Sequence, residues 1–205
     1  MSKSICITLG TRPEAIKLAP VIRAFQESEQ FQTHVILTGQ HKEMVAQVME
    51  LFALKADENL DIMQTRQTLT DITCRSLRGL ETVFERIKPD LIIVQGDTTT
   101  AFAAALAAFY QQIPIAHVEA GLRTNDIYNP YPEEANRRLI SQLTTLHFAP
   151  TTLAVENLQK SGVTGSIHHT GNTVIDALLT VAKTAPECQI AGLNWSDYRD
   201  RKSVV

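Results

Sequence analysis

Cysteine is scarce in this chain and follows no spacing that would suit a disulfide framework or a metal site. The three cysteines among 205 residues, Cys6, Cys74 and Cys188, are odd in number, far apart and outside any CxxC pair. Such a pattern is typical of reduced, mostly buried thiols in a cytoplasmic protein. We therefore predict neither a disulfide nor a bound metal.

An excess of positive charge and a long apolar run are also lacking. The formal net charge is −3, so no overall cationic field attracts nucleic acid or a membrane surface. No apolar run approaches the roughly 20 residues of a membrane helix, and the apolar part of MSKSICITLG is too short for a signal peptide. We expect a cytoplasmic globular protein with neither nucleic-acid nor membrane partners.

Short β-rich runs alternate with longer helical patterns along the chain. The predicted strands cover 5–10, 34–39, 91–96, 113–119, 146–150 and 166–171. The predicted helices cover 13–27, 42–53, 69–88, 98–110, 132–145, 151–161 and 173–183. Several strands are nearly continuous apolar runs, as in a parallel sheet covered on both faces. The alternation predicts a doubly wound α/β domain over 1–171. Residues 172–205 are interpreted as a connecting helix, a linker and the start of a second domain.

The usual glycine-rich nucleotide signatures are missing, and the segment GTRPE follows the first predicted strand instead. Neither GxGxxG nor GxxxxGK[ST] occurs, which argues against the common dinucleotide and P-loop sites. Gly10 permits a tight turn, and Thr11 can cap a helix. Backbone donors and the positive end of the helix dipole favour an anion here, with Arg12 and Lys17 nearby. Ordinary capping with solvated charges is the alternative.

Three carboxylates are expected near one edge of the sheet. Asp97 and Glu119 follow predicted strands, and Glu133 opens a predicted helix after NPYP. Ligands bind beyond the carboxyl ends of the strands in an open parallel sheet, so the fold gathers these acids in one crevice. Like charges held close disfavour simultaneous ionisation, which suits proton abstraction and return. Helix capping by each acid is the alternative.

Histidines offer weaker candidates. His117 could join the acids, or it could be a satisfied residue near the core of its strand. The pair His168–His169 is a poor metal site, because adjacent strand residues point to opposite faces.

The chain resembles the non-hydrolysing UDP-N-acetylglucosamine 2-epimerases in motifs that occur in order along most of its length: GTRPEAIKLAPVI, TGQHKEM, QGDTTTAFAAALAAFY, HVEAGLRT, YPEEANRR and TGNTVIDALL. This resemblance implies the amino-terminal half of a GT-B-type fold, in which two Rossmann-like domains hold a nucleotide-sugar between them. It also implies interconversion of UDP-N-acetylglucosamine and UDP-N-acetylmannosamine, which supplies bacterial surface polysaccharides.

The resemblance also implies roles for particular residues. Asp97, Glu119 and Glu133 match the family's catalytic carboxylates, and Arg12 and Lys17 match cations of the ligand cleft. No cofactor or metal is implied, and full-length relatives are usually homodimers.

A second substrate molecule acts as an activator in bacterial members of this family. Its contacts map to Gln40, His41, Arg66 and Gln67. Within QHKEM, Glu43 stands where some relatives have glutamine.

The implied reaction eliminates UDP across C1 and C2 of the sugar, which leaves a 2-acetamidoglucal, and then adds UDP back with a proton on the opposite face. Asp97 is expected to transfer a proton in one half-reaction, whereas the choice of base between Glu119 and Glu133 stays open. The family's uridine pocket belongs to the second domain. We therefore expect residues 1–205 alone to have little or no activity, because a closed cleft supplies much of an enzyme's rate.

Three other functions are compatible with the same residues. A hydrolysing epimerase would release UDP and free N-acetylmannosamine. A GT-B glycosyltransferase is possible, although its chemistry does not call for three acids at this edge. A noncatalytic nucleotide-sugar-binding module is the third.

Overall fold

The computed structural model describes residues 2–184, which form one seven-stranded sheet with helices on both faces. The strands are β1 (Lys3–Leu9), β2 (Phe31–Leu37), β3 (Glu58–Asn59), β4 (Leu91–Gln95), β5 (Ile115–Val118), β6 (Leu146–Ala149) and β7 (Ser166–His169). The helices are α1 (Arg12–Gln26), α2 (Lys42–Leu51), α3 (Leu69–Ile87), α4 (Thr99–Tyr110), α5 (Glu133–Leu143), α6 (Thr152–Lys160) and α7 (Val174–Thr184). All neighbouring strands are parallel, in the order β3-β2-β1-β4-β5-β6-β7. The predicted doubly wound Rossmann-like fold is confirmed.

The short strand β3 is an element that the sequence did not reveal. Its two residues pair with Ile36 and Leu37 of β2. Because Glu58–Asn59 shows neither an apolar run nor an alternating pattern, only its neighbour in the sheet makes it a strand. The other predicted elements of the described range all form, with small shifts at their ends.

Alternate residues of the central strands enter two separate apolar cores. On β1, Ile5, Ile7 and Leu9 pack in the core that also contains residues of α1 and α2. Cys6 points the other way, into the core formed with α3, α4 and α5. This two-sided burial explains why the strands read as continuous apolar runs. Helix α7 packs against α1.

Of the cysteines in the described range, one is buried as predicted and the other is not. Burial is the main cause that raises the pKa of the Cys6 thiol to about 12, so this thiol stays protonated at neutral pH. Cys74 is free and exposed, which corrects the expectation of mostly buried thiols. Cys188 lies outside the described residues. No helix within residues 2–184 combines the length and the apolar character needed to cross a membrane.

The order of the strands reverses between β1 and β4. The chain leaves β1 towards β2 on one side and leaves β4 towards β5 on the other, so the loops at their carboxyl ends diverge and leave a crevice. Gly10 begins the first of these loops. A Cβ at this position would lie 2.1 Å from Oγ1 of Thr38, and glycine is therefore needed for this close approach.

Candidate active site

A cavity of about 440 Å³ opens at this carboxyl edge, between the loops after β1, β4 and β5 and the first turn of α5. We call it the acid-lined cleft, because its lining includes four carboxylates: Glu14, Asp97, Glu119 and Glu133. The structure therefore brings the three predicted carboxylates together. It adds Glu14, which the sequence reading did not single out.

Asp97 is held by an arginine from α5. Nη2 of Arg137 donates to Oδ2 of Asp97 at 2.5 Å. The residue that caps α4 is Thr98, so the capping alternative for Asp97 is wrong. Burial is the largest influence on the pKa of Asp97 and raises it; Arg137 lowers it, and the charges of Glu133 and Glu119 raise it again. Asp97 therefore retains a proton to higher pH than an exposed aspartate does.

Glu119 is fixed by three donors in an unusual backbone conformation. Oε2 accepts from Nζ of Lys17 at 2.5 Å and from Nε2 of Gln95 at 2.6 Å, and Oε1 accepts from Nδ2 of Asn172 at 3.1 Å. The φ angle of Glu119 is +64°, a left-handed conformation that residues other than glycine seldom adopt. Such conformations concentrate at functional sites.

Glu133 differs from its neighbour Glu134, although both stand in the first turn of α5. Glu133 is half-buried in the cleft, and its side chain has no hydrogen bond or ion pair with any residue of the described range. Glu134 is fully buried, accepts from the Thr124 amide, and pairs with Arg137 at 3.3 Å and Arg138 at 2.7 Å. Glu134 is thus structural, whereas the carboxylate of Glu133 is available to a ligand.

Glu14 occupies the start of α1 with its own carboxylate. Oε2 accepts from the amides of Gly10 and Thr11 at 2.8 and 2.7 Å and from the Thr11 hydroxyl at 2.9 Å, while Oε1 accepts from Oγ1 of Thr98 at 2.6 Å. Burial raises the pKa of Glu14, and these hydrogen bonds oppose the rise. The expectation that these backbone donors bind a ligand anion is therefore wrong. The spacing TxxE, typical of a capping box, is the signal that could have identified Glu14.

The two predicted cleft cations have different surroundings. Lys17 lines the cleft and pairs with Glu119. Arg12 is exposed and does not contribute to the lining.

The four residues matched to an activator site also divide into two groups. Gln40 and His41 line the acid-lined cleft, and Oε1 of Gln40 accepts from Thr100 at 3.3 Å. Arg66 and Gln67 lie outside the lining, on the segment that precedes α3.

Both peptide carbonyls next to the Asp97 side chain are held by other elements. Nε2 of His117 donates to the Gly96 carbonyl at 2.7 Å, and Nδ2 of Asn136 donates to the Asp97 carbonyl at 2.9 Å. His117 is itself buried and outside the lining, which agrees with the near-core alternative. No group of three or more His, Cys, Asp and Glu residues within 2–184 could hold a metal ion.

The fold and the cleft together define a Rossmann-like α/β protein with acidic side chains at the switch point of a parallel sheet. Residues 23–204 match the family model described as UDP-N-acetylglucosamine 2-epimerase. The chain belongs to this family.

Named relatives agree with this assignment. The UDP-N-acetylglucosamine 2-epimerase of Escherichia coli K12 is 53% identical over 178 residues, which are 86% of this chain and 47% of that protein. The Neisseria meningitidis UDP-GlcNAc 2-epimerase bound to UDP-GlcNAc has a TM-score of 0.85 at 50% identity, covering 88% of this chain and 50% of the other. The Methanocaldococcus jannaschii enzyme in complex with UDP-GlcNAc and UDP has a TM-score of 0.85 at 39% identity, covering 91% and 51%. The chain spans about half the length of the curated relatives it matches.

Proposed function

We propose that this chain supplies the proton-transfer half of a non-hydrolysing UDP-N-acetylglucosamine 2-epimerase, which interconverts UDP-N-acetylglucosamine and UDP-N-acetylmannosamine. The observation that carries the proposal is the meeting of Asp97, Glu119 and Glu133 in one cleft, each in a different environment. Family membership and solved relatives bound to UDP-GlcNAc support the choice of substrate.

The proposed reaction has two balanced halves. A base takes the C2 proton while the bond between C1 and the UDP oxygen breaks, and the electron pair of that bond leaves with UDP. The sugar becomes a 2-acetamidoglucal with a C1–C2 double bond. An acid then gives a proton to the opposite face of C2, and the UDP oxygen forms its bond to C1 again.

The environments of the three acids support a division of labour. Glu133 serves as the base, because its carboxylate has no partner in residues 2–184. Asp97 serves as the acid, because burial raises its pKa and a general acid must hold its proton near the working pH. Glu119 is held by Lys17 and two amides, and its fixed charge stabilises positive character at C1.

The second half of the cleft belongs to a second domain in this proposal, which follows a first domain of residues 1–171. Lys17, inside the cleft, and Arg12, exposed at the start of α1, bind the ligand as cations. A second UDP-N-acetylglucosamine acts as activator at Gln40 and His41, which line the cleft, and at Arg66 and Gln67 on the segment before α3. The complete protein is a cytoplasmic homodimer that supplies surface polysaccharide synthesis, and residues 1–205 alone have little or no activity.

A chimera tests the proposal. Residues 1–184 replace the corresponding half of the E. coli relative, and NMR identifies the products formed from UDP-N-acetylglucosamine. We expect UDP-N-acetylmannosamine with UDP still attached, and no turnover by residues 1–205 alone. Release of UDP and free N-acetylmannosamine would indicate the hydrolysing class. A folded chimera that binds the nucleotide-sugar without converting it would indicate a noncatalytic module.

A further inference from the structure

A second polar cavity, of about 470 Å³, lies between α5 and α6. We call it the Arg123 cavity. Its lining contains Arg123, Arg138 and Lys160, and its other lining residues are uncharged. A cavity with three cations and no carboxylate in its wall differs in sign from the acid-lined cleft.

The guanidinium of Arg123 is half-buried without an acidic partner. Nη1 donates to the Leu122 carbonyl at 2.7 Å, and Nη2 donates to Oγ of Ser141 at 2.9 Å. Both acceptors are neutral, and Arg123 forms no ion pair with any residue between 2 and 184. Removing a charge from water without a counter-charge is unfavourable.

The nearest source of negative charge is already shared. Glu134 pairs with Arg138 at 2.7 Å and Arg137 at 3.3 Å, and Lys160 lies 3.8 Å from Glu156. Burial is the main cause that lowers the pKa of Arg123; Glu134 raises it, and Arg138 and Arg137 lower it further. A guanidinium nevertheless stays protonated in proteins, so the cavity keeps a positive charge that no ion pair within residues 2–184 balances.

We propose that the Arg123 cavity binds a small phosphate-bearing anion, either inorganic phosphate or a phosphomonoester. A guanidinium has five N–H donors in a planar fork that suits two phosphate oxygens, and Arg123 uses only two of its nitrogens on neutral acceptors. Arg138 and Lys160 add charge at the wall and rim. The volume leaves room for the organic part of an ester, which would contact Leu139.

The test supplies the missing counter-charge by a substitution in the chain itself. Ser141→Asp sets a carboxylate beside Nη2 of Arg123, and Ser141→Asn matches its size without the charge. Thermal unfolding of the 205-residue chain is measured in inorganic phosphate and in sodium chloride of equal ionic strength. Phosphate should raise the unfolding midpoint of wild type and Ser141→Asn by a few degrees. Ser141→Asp should unfold at a higher midpoint without phosphate and should not respond to it.

A second variant and a second ligand complete the experiment. Lys160→Gln at the exposed rim preserves folding and should reduce the phosphate shift, which decides the question if Ser141→Asp does not fold. A larger shift with glucose 6-phosphate than with phosphate would identify an ester as the ligand, and equal shifts would identify inorganic phosphate. Equal phosphate shifts in all variants, no shift in any of them, or loss of the shift in Ser141→Asn would overturn the proposal.

Discussion

The acid-lined cleft and the Arg123 cavity lie on different sides of α5, and they carry opposite charge. Glu133 and Asn136 line the cleft, whereas Arg138 and Ser141 line the other cavity. Arg138 follows Glu133 by five residues, and Ser141 follows Asn136 by five. Beyond one full turn, this spacing is a rotation of well over a quarter of a circle about the helix axis, so the two pairs face different directions. One helix therefore presents acid to the proposed sugar site and positive charge to the proposed phosphate site.

The pair of Glu134 and Arg137 joins the two regions. Arg137 bonds to Asp97 in the cleft and to Glu134, and Glu134 also holds Arg138, which faces the Arg123 cavity. Charges that hold the structure together are paired, whereas Glu133 and Arg123 lack an ion pair within the described range. Within this comparison, the fully buried Glu134 is tied up by two arginines and serves the fold, whereas the side chains of Glu133 and Arg123 remain available for a ligand.

The largest expected effect concerns the unpaired acid. In the chimera, Glu133→Gln should lower turnover on the order of 10²–10⁴-fold, as for a lost general acid or base. Its free energy of unfolding should change by less than about 0.5 kcal/mol, because no partner is lost. Steady-state kinetics and urea unfolding measure the two quantities.

Glu134→Gln is the matched control, because it removes the carboxylate charge shared by two arginines and should destabilise the fold. If Glu133→Gln instead unfolded easily while each folded molecule kept full activity, Glu133 would be only a helix-start residue.

A smaller effect, on the free energy of unfolding, is expected from Glu14, the hydrogen-bonded carboxylate of the same cleft. Glu14→Ala leaves the buried backbone amides of Gly10 and Thr11 without an acceptor. Each such buried donor costs about 1–3 kcal/mol, so urea unfolding should show a loss of at least that size. Glu14→Gln keeps the shape and one acceptor oxygen, and should lose less. A change below the error of the measurement would show that water replaces the carboxylate there.

Two histidines of the central strands, His117 and His147, predict that the free energy of unfolding depends on pH. His117 and His147 are partners across β5 and β6, and burial is the main cause that lowers the pKa of each to about 4. Their contribution to stability is complete above the unfolded pKa of about 6.5. It declines as the pH falls towards 4, because the unfolded chain then takes up protons that the folded chain excludes. Each histidine can contribute up to about 1.4 kcal/mol per pH unit.

His147→Leu isolates this effect. The Thr144 carbonyl lies near enough to favour the protonated ring slightly, but neither ring nitrogen of His147 has a hydrogen bond of good geometry. The variant should therefore lose little at pH 8 and show a weaker decline than wild type between pH 6.5 and 4. Urea unfolding across this range measures both slopes, and identical slopes would contradict the assignment.

The smallest expected effect concerns the backbone of Glu119. Because its φ is +64°, Glu119→Gly should be more stable than Glu119→Ala by roughly 1 kcal/mol. The exposed helix position Glu85 in α3 is the control, and there the order should reverse by about 1 kcal/mol. If Glu119→Ala were as stable as Glu119→Gly or more stable in chemical unfolding, while Glu85 gave the expected order, the left-handed conformation of Glu119 would carry no strain.

The sequence predicted those parts of the site that follow from the pattern of apolar residues. The ends of strands before Asp97 and Glu119 are visible as apolar runs, and a parallel sheet must bring those ends to one edge. The partners were not predictable in this way. Arg137 reaches Asp97 from 40 residues away, and this contact depends on how α5 packs. The residue pair Glu58–Asn59 was missed for the same reason, because only pairing with β2 makes it a strand. Glu14 was missed although its capping-box spacing is visible in the sequence.

Deuterium uptake from solvent tests the central claim most directly. The chimera converts UDP-N-acetylglucosamine in D₂O, and mass spectrometry and NMR measure deuterium at C2 of the epimerised sugar. If one carboxyl group removes the C2 proton and another returns a proton, we expect deuterium at C2 in the product. Both conversion and uptake should be lost in Asp97→Asn and Glu133→Gln. Conversion at a normal rate with the original hydrogen retained at C2 would contradict the account.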